Sequence, residues 1–249
     1  MAWVETASLS FVARHESAQS DAATAVLDDL EGFRAELETL FESVPGEISV
    51  VIHPQPLMLV LAAPWLPLAR MVSAPAGRRY FTGWFGRDEI HVLAPEALER
   101  RASGVAGSRE ALLRSPRHEY AHLLIGACNP ALPPPFSPAT FRRYVRSAWL
   151  CEGAATHLAG QVTHLRAAIV RRLREGARPS FPPGARDAYL LGGTVFALLE
   201  RERGPAACAE LAAADIARTG REIVERAFGR PAAGVERAWL GYLDSLGAS

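Results

Sequence analysis

The sequence predicts an α+β protein with a small mixed sheet in its N-terminal part and a mostly helical C-terminal part. Segments rich in β-branched and aromatic residues occur almost only before residue 95. Within that part of the chain, one long segment with helical spacing lies between the first and second of these segments. Beyond residue 95, Ala, Leu, Arg and Glu dominate. We therefore expect an N-terminal α+β lobe over residues 1–100 and a helical lobe over residues 101–249, which together form one unit.

The composition is that of a globular protein. The 249 residues, of which 49% are hydrophobic, suffice for a core without metal or disulfide staples, so a bound metal is better explained by catalysis than by structure. Lys plus Arg and Asp plus Glu number 27 each, which argues against a nucleic-acid partner. Three widely spaced cysteines predict reduced thiols.

The chain as it stands predicts a cytoplasmic protein, or a secreted one if a signal segment had been removed. The N-terminus lacks the basic and apolar regions of a signal peptide. The most apolar segment, residues 57–69, is too short for a transmembrane helix and contains two prolines. We interpret it as a buried strand and loop, or as the lining of a cleft.

The N-terminal elements follow from alternation and spacing. Residues 8–13 partly alternate and predict a strand, residues 21–41 carry apolar side chains at helical spacing, and residues 48–53 predict a second strand after a Pro-Gly turn. This order predicts a β-α-β unit. Residues 79–93 contain two strand-like segments around a Gly-Arg-Asp turn, which predicts a hairpin.

The C-terminal elements are predicted as helices. Residues 109–127 form the first, although Pro116 could begin a new helix there instead. A proline-rich connection over residues 129–139 leads to a helix over residues 140–174, either continuous or broken near Ser147. A Gly/Pro loop follows at residues 178–184, and the remaining predicted helices cover residues 185–203, 205–219, 220–228 and 232–246.

The segment His118-Glu119-Tyr120-Ala121-His122 is an HExxH motif. On a helix, its two histidines lie on one face within reach of one metal ion, and Glu119 points toward a metal-bound water. The following residues are apolar, so the helix is predicted to be embedded, and embedded histidines need polar partners. A metal ion supplies those partners.

A third ligand is expected downstream, because catalytic zinc takes three protein ligands and leaves one position to water. Residues 147–160 read SAWLCEGAATHLAG. This segment resembles the WLxEGxA helix of gluzincin metallopeptidases, in particular the bacterial peptidase MA-like group, and Glu152 matches the position of the glutamate ligand. Residues 123–151, 29 in all, separate Glu152 from His122. This spacer is longer than the short gluzincin spacer, and the proline-rich segment accounts for the excess.

The resemblance implies a zincin-like fold in which Zn²⁺ lies between the two lobes of one catalytic unit and a peptide or protein is the substrate. It implies that Glu119 is the general base and that Tyr189, on a later helix, donates to the oxyanion; the alternative for Tyr189 is a core position. Thr156 follows Glu152 by four residues on the same helical face, which predicts a hydrogen bond to a ligand or to the backbone.

An edge strand beside the active-site helix is expected to pair with extended substrate, and residues 80–85 or 90–93 are the candidates unless both strands are paired internally. Two rival interpretations stay open. One is a catalytically silent gluzincin-like domain that binds a protein or peptide partner. The other is a helical module with fortuitous motifs, which predicts no metal.

Overall fold

The structure is a computed structural model that describes residues 2–63 and 82–248. Its strands are β1 Trp3–Ala7, β2 Phe11–Glu16, β3 Ile48–His53, β4 Gly83–Phe85 and β5 Glu89–Leu93. Its helices are α1 Ser20–Glu38, α2 Pro56–Ala62, α3 Pro95–Arg101, α4 Ser108–Leu113, α5 Ser115–Cys128, α6 Pro138–Arg146, α7 Ala148–Leu158, α8 Arg166–Glu175, α9 Ala188–Arg203, α10 Pro205–Ala212, α11 Gly220–Phe228 and α12 Ala232–Ala248. The predicted α+β class with a small mixed sheet is confirmed.

The strands form one five-stranded sheet in the order β1-β2-β3-β5-β4. The two outer pairs, β1 with β2 and β4 with β5, are antiparallel, whereas β3 runs parallel to both of its neighbours. The predicted β-α-β unit is β2-α1-β3, and the apolar stripe of α1 belongs to the same buried cluster as Phe11, Val50 and Ile52. The buried cluster continues from the sheet through α5 to Trp239 on α12.

The strand predicted at residues 8–13 was partly wrong. The chain forms a hairpin of β1 and β2, and Ser8 to Ser10 form its turn. Glu31 on α1 fixes this turn, because its carboxylate accepts hydrogen bonds from Ser8 Oγ at 2.7 Å and from the Ser10 backbone N–H at 2.6 Å. β1 was not predicted because its five residues, WVETA, show little alternation of apolar and polar side chains, and four of them are exposed.

The interpretation of residues 57–69 as strand and loop was also wrong for the part that the structure describes. Pro56–Ala62 is the helix α2, with proline in its first turn, where no backbone N–H is needed. Leu59 is buried against Leu93 and Leu98. Residues 64–69 lie outside the described residues. In the hairpin that follows, the strands β4 and β5 confirm the prediction from Gly83 onward, and residues 79–81 are likewise not described.

The helical part departs from the predicted helix boundaries at several positions. The helix predicted at 109–127 is interrupted at Arg114, so Pro116 lies in the first turn of a new helix, as the alternative had it. The helix predicted at 140–174 breaks at Ser147 and again after Leu158, where Gly160 adopts a φ of 69°. The helix predicted at 205–219 ends at Ala212. The other predicted helices are confirmed to within three residues at each end.

Within the described residues, no helix has the length and apolar character needed to cross a bilayer. All three cysteines are free.

Two buried histidines form a pair on the sheet. His53 on β3 and His91 on β5 are 4% and 8% exposed, and His53 Nε2 lies 2.9 Å from His91 Nδ1. The Trp84 ring stacks on His91 at a centroid distance of 3.8 Å. Burial lowers the pKa of each histidine to about 4, and the nearby His91 contributes to the lowering at His53. Both rings are therefore neutral at pH 7.

Stability should fall with decreasing pH through these histidines. Below about pH 6.5 these histidines become protonated in the unfolded chain, whereas in the folded chain they stay neutral until about pH 4. Each ring therefore lowers the free energy of unfolding by up to about 1.4 kcal/mol for every pH unit of acidification between those values. The double variant His53→Gln/His91→Gln should show a shallower slope in urea unfolding between pH 4.5 and pH 7 with chelator present. Tyr242→Phe is the control and should keep the wild-type slope, because burial raises the pKa of Tyr242 above its ordinary value of 10.0, outside this window. An unchanged slope in the double variant would contradict this prediction.

Candidate metal centre

The helix α5 holds the HExxH motif rigidly, because its opposite side is packed into the core. Tyr120 is fully buried, packs edge-on against Phe11 and Phe33, and donates its hydroxyl to the backbone carbonyl of Pro45. Arg117 donates to the Asp29 carboxylate of α1 at 2.9 Å. These contacts leave the motif histidines on the face that looks away from α1.

The helix α7 presents Glu152, and a close helix crossing sets the position of this helix. A Cβ added to Gly153 would lie 2.6 Å from the Gly192 carbonyl carbon, and one added to Gly192 would lie 2.6 Å from the Trp149 carbonyl oxygen. Only glycine therefore allows α7 and α9 to approach with their backbones in contact. The residue beside this crossing, Glu152, points toward α5.

The three predicted ligands lie together. His118 Nε2 and His122 Nε2 are 3.2 Å apart. Glu152 Oε2 lies 3.5 Å from His118 Nε2, and Glu152 Oε1 lies 3.9 Å from His122 Nε2. The two histidines are 5% and 2% exposed, and the Glu152 side chain is 14% exposed. Among the described residues, these three side chains form the group that could hold a metal ion.

The donor set and its spacing fit a zinc-like ion. Ligand atoms about 2.1 Å from a tetrahedral centre lie about 3.4 Å from one another, close to the separations of 3.2 to 3.9 Å found here. Two imidazoles and one carboxylate are also the ligand types of a three-ligand catalytic site. Other divalent transition metals have overlapping ligand preferences and fit the same spacing.

A buried amide orients the first histidine. Gln161, which is 1% exposed, places its Oε1 2.9 Å from His118 Nδ1, and its Nε2 donates to the Ala111 carbonyl at 2.8 Å. Because the amide nitrogen is committed to a carbonyl acceptor, Oε1 must accept from His118 Nδ1–H. The proton is thus held at Nδ1, and the lone pair of Nε2 faces Glu152. Gln161 lies in the turn after α7 and was not predicted from the sequence.

Glu119 lies between the motif helix and the sheet. It is 3% exposed, and the strand β4 approaches it so closely that a Cβ on Gly83 would lie 2.7 Å from Glu119 Cγ and 2.9 Å from its Oε1. Glycine is therefore required at position 83 in this arrangement. Two residues along the strand, Phe85 stacks on the His122 ring at a centroid distance of 4.6 Å. The end of β4 forms one wall of the centre.

Two tyrosines flank the ligands on the other side. Tyr189 on α9 is half-buried, and its ring centroid lies 5.7 Å from that of His118. Tyr144 on α6 donates its hydroxyl to Glu152 Oε1, and its ring centroid lies 6.1 Å from that of His122. Tyr189 was predicted near the centre, whereas Tyr144 was missed, although a tyrosine eight residues before the glutamate was visible in the sequence.

Of the two predicted partners for the Thr156 hydroxyl, a ligand or the backbone, the structure shows the backbone. Its side chain is fully buried and its hydroxyl lies 3.4 Å from the Tyr189 backbone carbonyl, to which it donates. Thr156 thus links α7 to the start of α9, consistent with the backbone option of the prediction. The hydrogen bond of Thr156 therefore joins the helix of Glu152 to the residue proposed as the oxyanion donor.

No protein-family model matches the chain, and no curated protein gives a significant match. The functional interpretation therefore rests on the residues and their geometry.

Removing the Gln161 acceptor should weaken metal binding. Gln161→Leu leaves His118 Nδ1–H without its acceptor in a buried site, and loss of such an outer partner typically lowers metal affinity by about 10-fold to 100-fold. Gln161→Glu is the matched control, since it restores an acceptor for His118 while losing the donor to Ala111, and it should recover most of the affinity. Competition titration with a chromogenic chelator measures both. Equal affinities for wild type and Gln161→Leu would show that Gln161 does not orient the ligand.

Proposed function

We propose that the protein is a zinc-dependent peptidase of the gluzincin type, in which His118, His122 and Glu152 hold the metal ion and Glu119 is the general base. One observation supports this most strongly. Two histidines of an HExxH helix and a glutamate 30 residues beyond the second of them converge within 4.8 Å, with a carboxylate next to the first histidine in the chain. A structural site has no need of that carboxylate.

The reaction is hydrolysis of a peptide bond. A zinc ion bound here would acidify a water molecule and polarise the substrate carbonyl. Glu119 accepts the proton of the attacking water and later delivers it to the amine nitrogen as the C–N bond breaks. Burial of Glu119 between α5 and β4 restricts its rotamers, and this keeps the carboxylate beside the motif histidines.

The position of β4 supports an extended substrate. β5 is paired on both sides, to β3 and to β4, whereas β4 is the last strand of the sheet among the described residues. Of the two candidate strands, β4 therefore lies at an edge of the sheet within residues 2–63 and 82–248, and its Gly83 lies against Glu119. A peptide paired with this edge would bring its carbonyl groups close to the proposed base.

The substitution Glu119→Gln distinguishes a peptidase from a catalytically silent binding domain. The amide keeps the size of the side chain but cannot accept the water proton, so hydrolysis of a peptide library should fall by at least about 100-fold at unchanged zinc content. In a silent domain the wild type would cleave nothing and the substitution would leave partner binding unchanged. The assay compares the two proteins at matched metal occupancy, with zinc measured by elemental analysis. A wild type that binds no metal would favour the fortuitous helical module.

Tyr189→Phe tests the proposed oxyanion donor. Its ring lies beside His118, and removal of one donor to an oxyanion typically lowers turnover by about 100-fold to 1000-fold. We expect kcat to fall with metal content unchanged. The control is Tyr242→Phe, a half-buried tyrosine on α12 that should keep full activity. An unchanged kcat in Tyr189→Phe would return Tyr189 to a packing role.

A further inference from the structure

Tyr144 stands out because it reaches a proposed metal ligand from a separate helix. Only Ser147 separates α6 from α7, so the break between the two helices lies between Tyr144 and Glu152. The helix α6 is fixed at both ends. Its first turn carries a capping box of Ser137 and Thr140, and Arg146 in its last turn donates to the Ile216 carbonyl at 2.8 Å. The Tyr144 ring is therefore presented by an anchored helix.

The two oxygens of Glu152 have different surroundings. Oε1 accepts the hydrogen bond of the Tyr144 hydroxyl. Oε2 lies 3.5 Å from His118 Nε2 and Oε1 lies 3.9 Å from His122 Nε2, so both oxygens face the histidine nitrogens and the Tyr144 hydroxyl bonds to Oε1. A phenol that donates to one carboxylate oxygen reduces the electron density which that oxygen can offer to an ion. The hydrogen bond thus distinguishes the two oxygens before any metal arrives.

This asymmetry matters because a glutamate can bind an ion through one oxygen or through both. A second Glu152 oxygen on the ion would take the position that a catalytic zinc site leaves to water or substrate. We propose that Tyr144 is a positioning residue that keeps Glu152 a one-oxygen ligand, and thereby keeps one coordination position open. Tyr144 acts through Glu152 and is distinct from Tyr189, which lies beside His118.

The inference rests on the metal centre of the proposed function but not on peptide hydrolysis. Its test therefore uses coordination and not activity. Cobalt(II) replaces zinc in sites of this kind, and its visible absorption is intense for four ligands and several-fold weaker for five. The spectrum reports how many donor atoms surround the ion, which a purely structural role of the tyrosine would not change.

The experiment compares wild type, Tyr144→Phe and Tyr242→Phe, each loaded with one equivalent of Co²⁺ and checked by circular dichroism. We expect Tyr144→Phe alone to lose visible absorbance per bound cobalt, because the freed oxygen binds as a fifth donor. Tyr242→Phe, on α12, is the matched loss of one hydroxyl and should keep the wild-type spectrum. Identical spectra for all three proteins, or an equal change in both variants, would overturn the inference.

Two further outcomes separate this inference from the metal centre itself. Failure of the wild type to bind cobalt or zinc would overturn the proposed centre and the inference together. If Tyr144→Phe does not fold, X-ray absorption of the zinc-loaded wild type decides the question. One Glu152 oxygen at bonding distance would support the role of Tyr144, and two would overturn it.

Discussion

The contact between the backbones of α7 and α9 at Gly153 and Gly192 determines the geometry of the candidate centre. The two helices cross with no side chain between them, and even one methyl group would lie 2.6 Å from the facing backbone. Glu152 immediately precedes this contact on one helix, and Tyr189 precedes it by one turn on the other. The relative position of a proposed ligand and a proposed donor therefore depends on the absence of two Cβ atoms.

A second set of contacts fixes the histidines independently of that crossing. The helix α5 is held from behind by Tyr120, which fills the space between the sheet and α1, and by the ion pair of Arg117 with Asp29. The sheet approaches from the side through Gly83 and Phe85. Three structural units thus meet at the centre: the motif helix, the crossed helix pair and the outer strand of the sheet. Each is positioned by its own core contacts, so the ligands converge without being adjacent in the chain.

The sequence was sufficient where the signal was local. The alternation in residues 48–53 predicted β3 to the residue, and the motif with its downstream Glu152 predicted a cluster that the structure brings together. The turn at Gly160 was missed because one glycine in a helical pattern is usually tolerated, and its positive φ depends on the tertiary fold. Residues 57–62 were misassigned because a short apolar segment lacks a decisive period.

The supporting residues of the site could not be predicted in the same way. Gln161, in the turn after α7, contacts His118, and Tyr144, on the helix before α7, contacts Glu152. Both contacts depend on the direction in which the chain turns between helices, which residue spacing does not encode. Thr156 shows the converse case. Its spacing from Glu152 placed it correctly on one helical face, but the hydroxyl donates to the Tyr189 carbonyl on the neighbouring helix. Residue spacing determines which face of a helix a side chain occupies, whereas tertiary packing determines its hydrogen-bond partner.

The residue just before the proposed carboxylate ligand is a cysteine that lies in the buried core. Cys151 is 1% exposed, and burial together with the neighbouring Glu152 charge raises the pKa of its thiol well above the ordinary range. A buried, protonated thiol is a poor nucleophile and a poor soft-metal ligand, so it resists alkylating reagents, oxidants and thiophilic ions such as mercury or cadmium while the fold is intact. Chemical labelling of Cys151 therefore reports the opening of α7. The rate at which it reacts measures how often the helix that carries Glu152 separates from its neighbours.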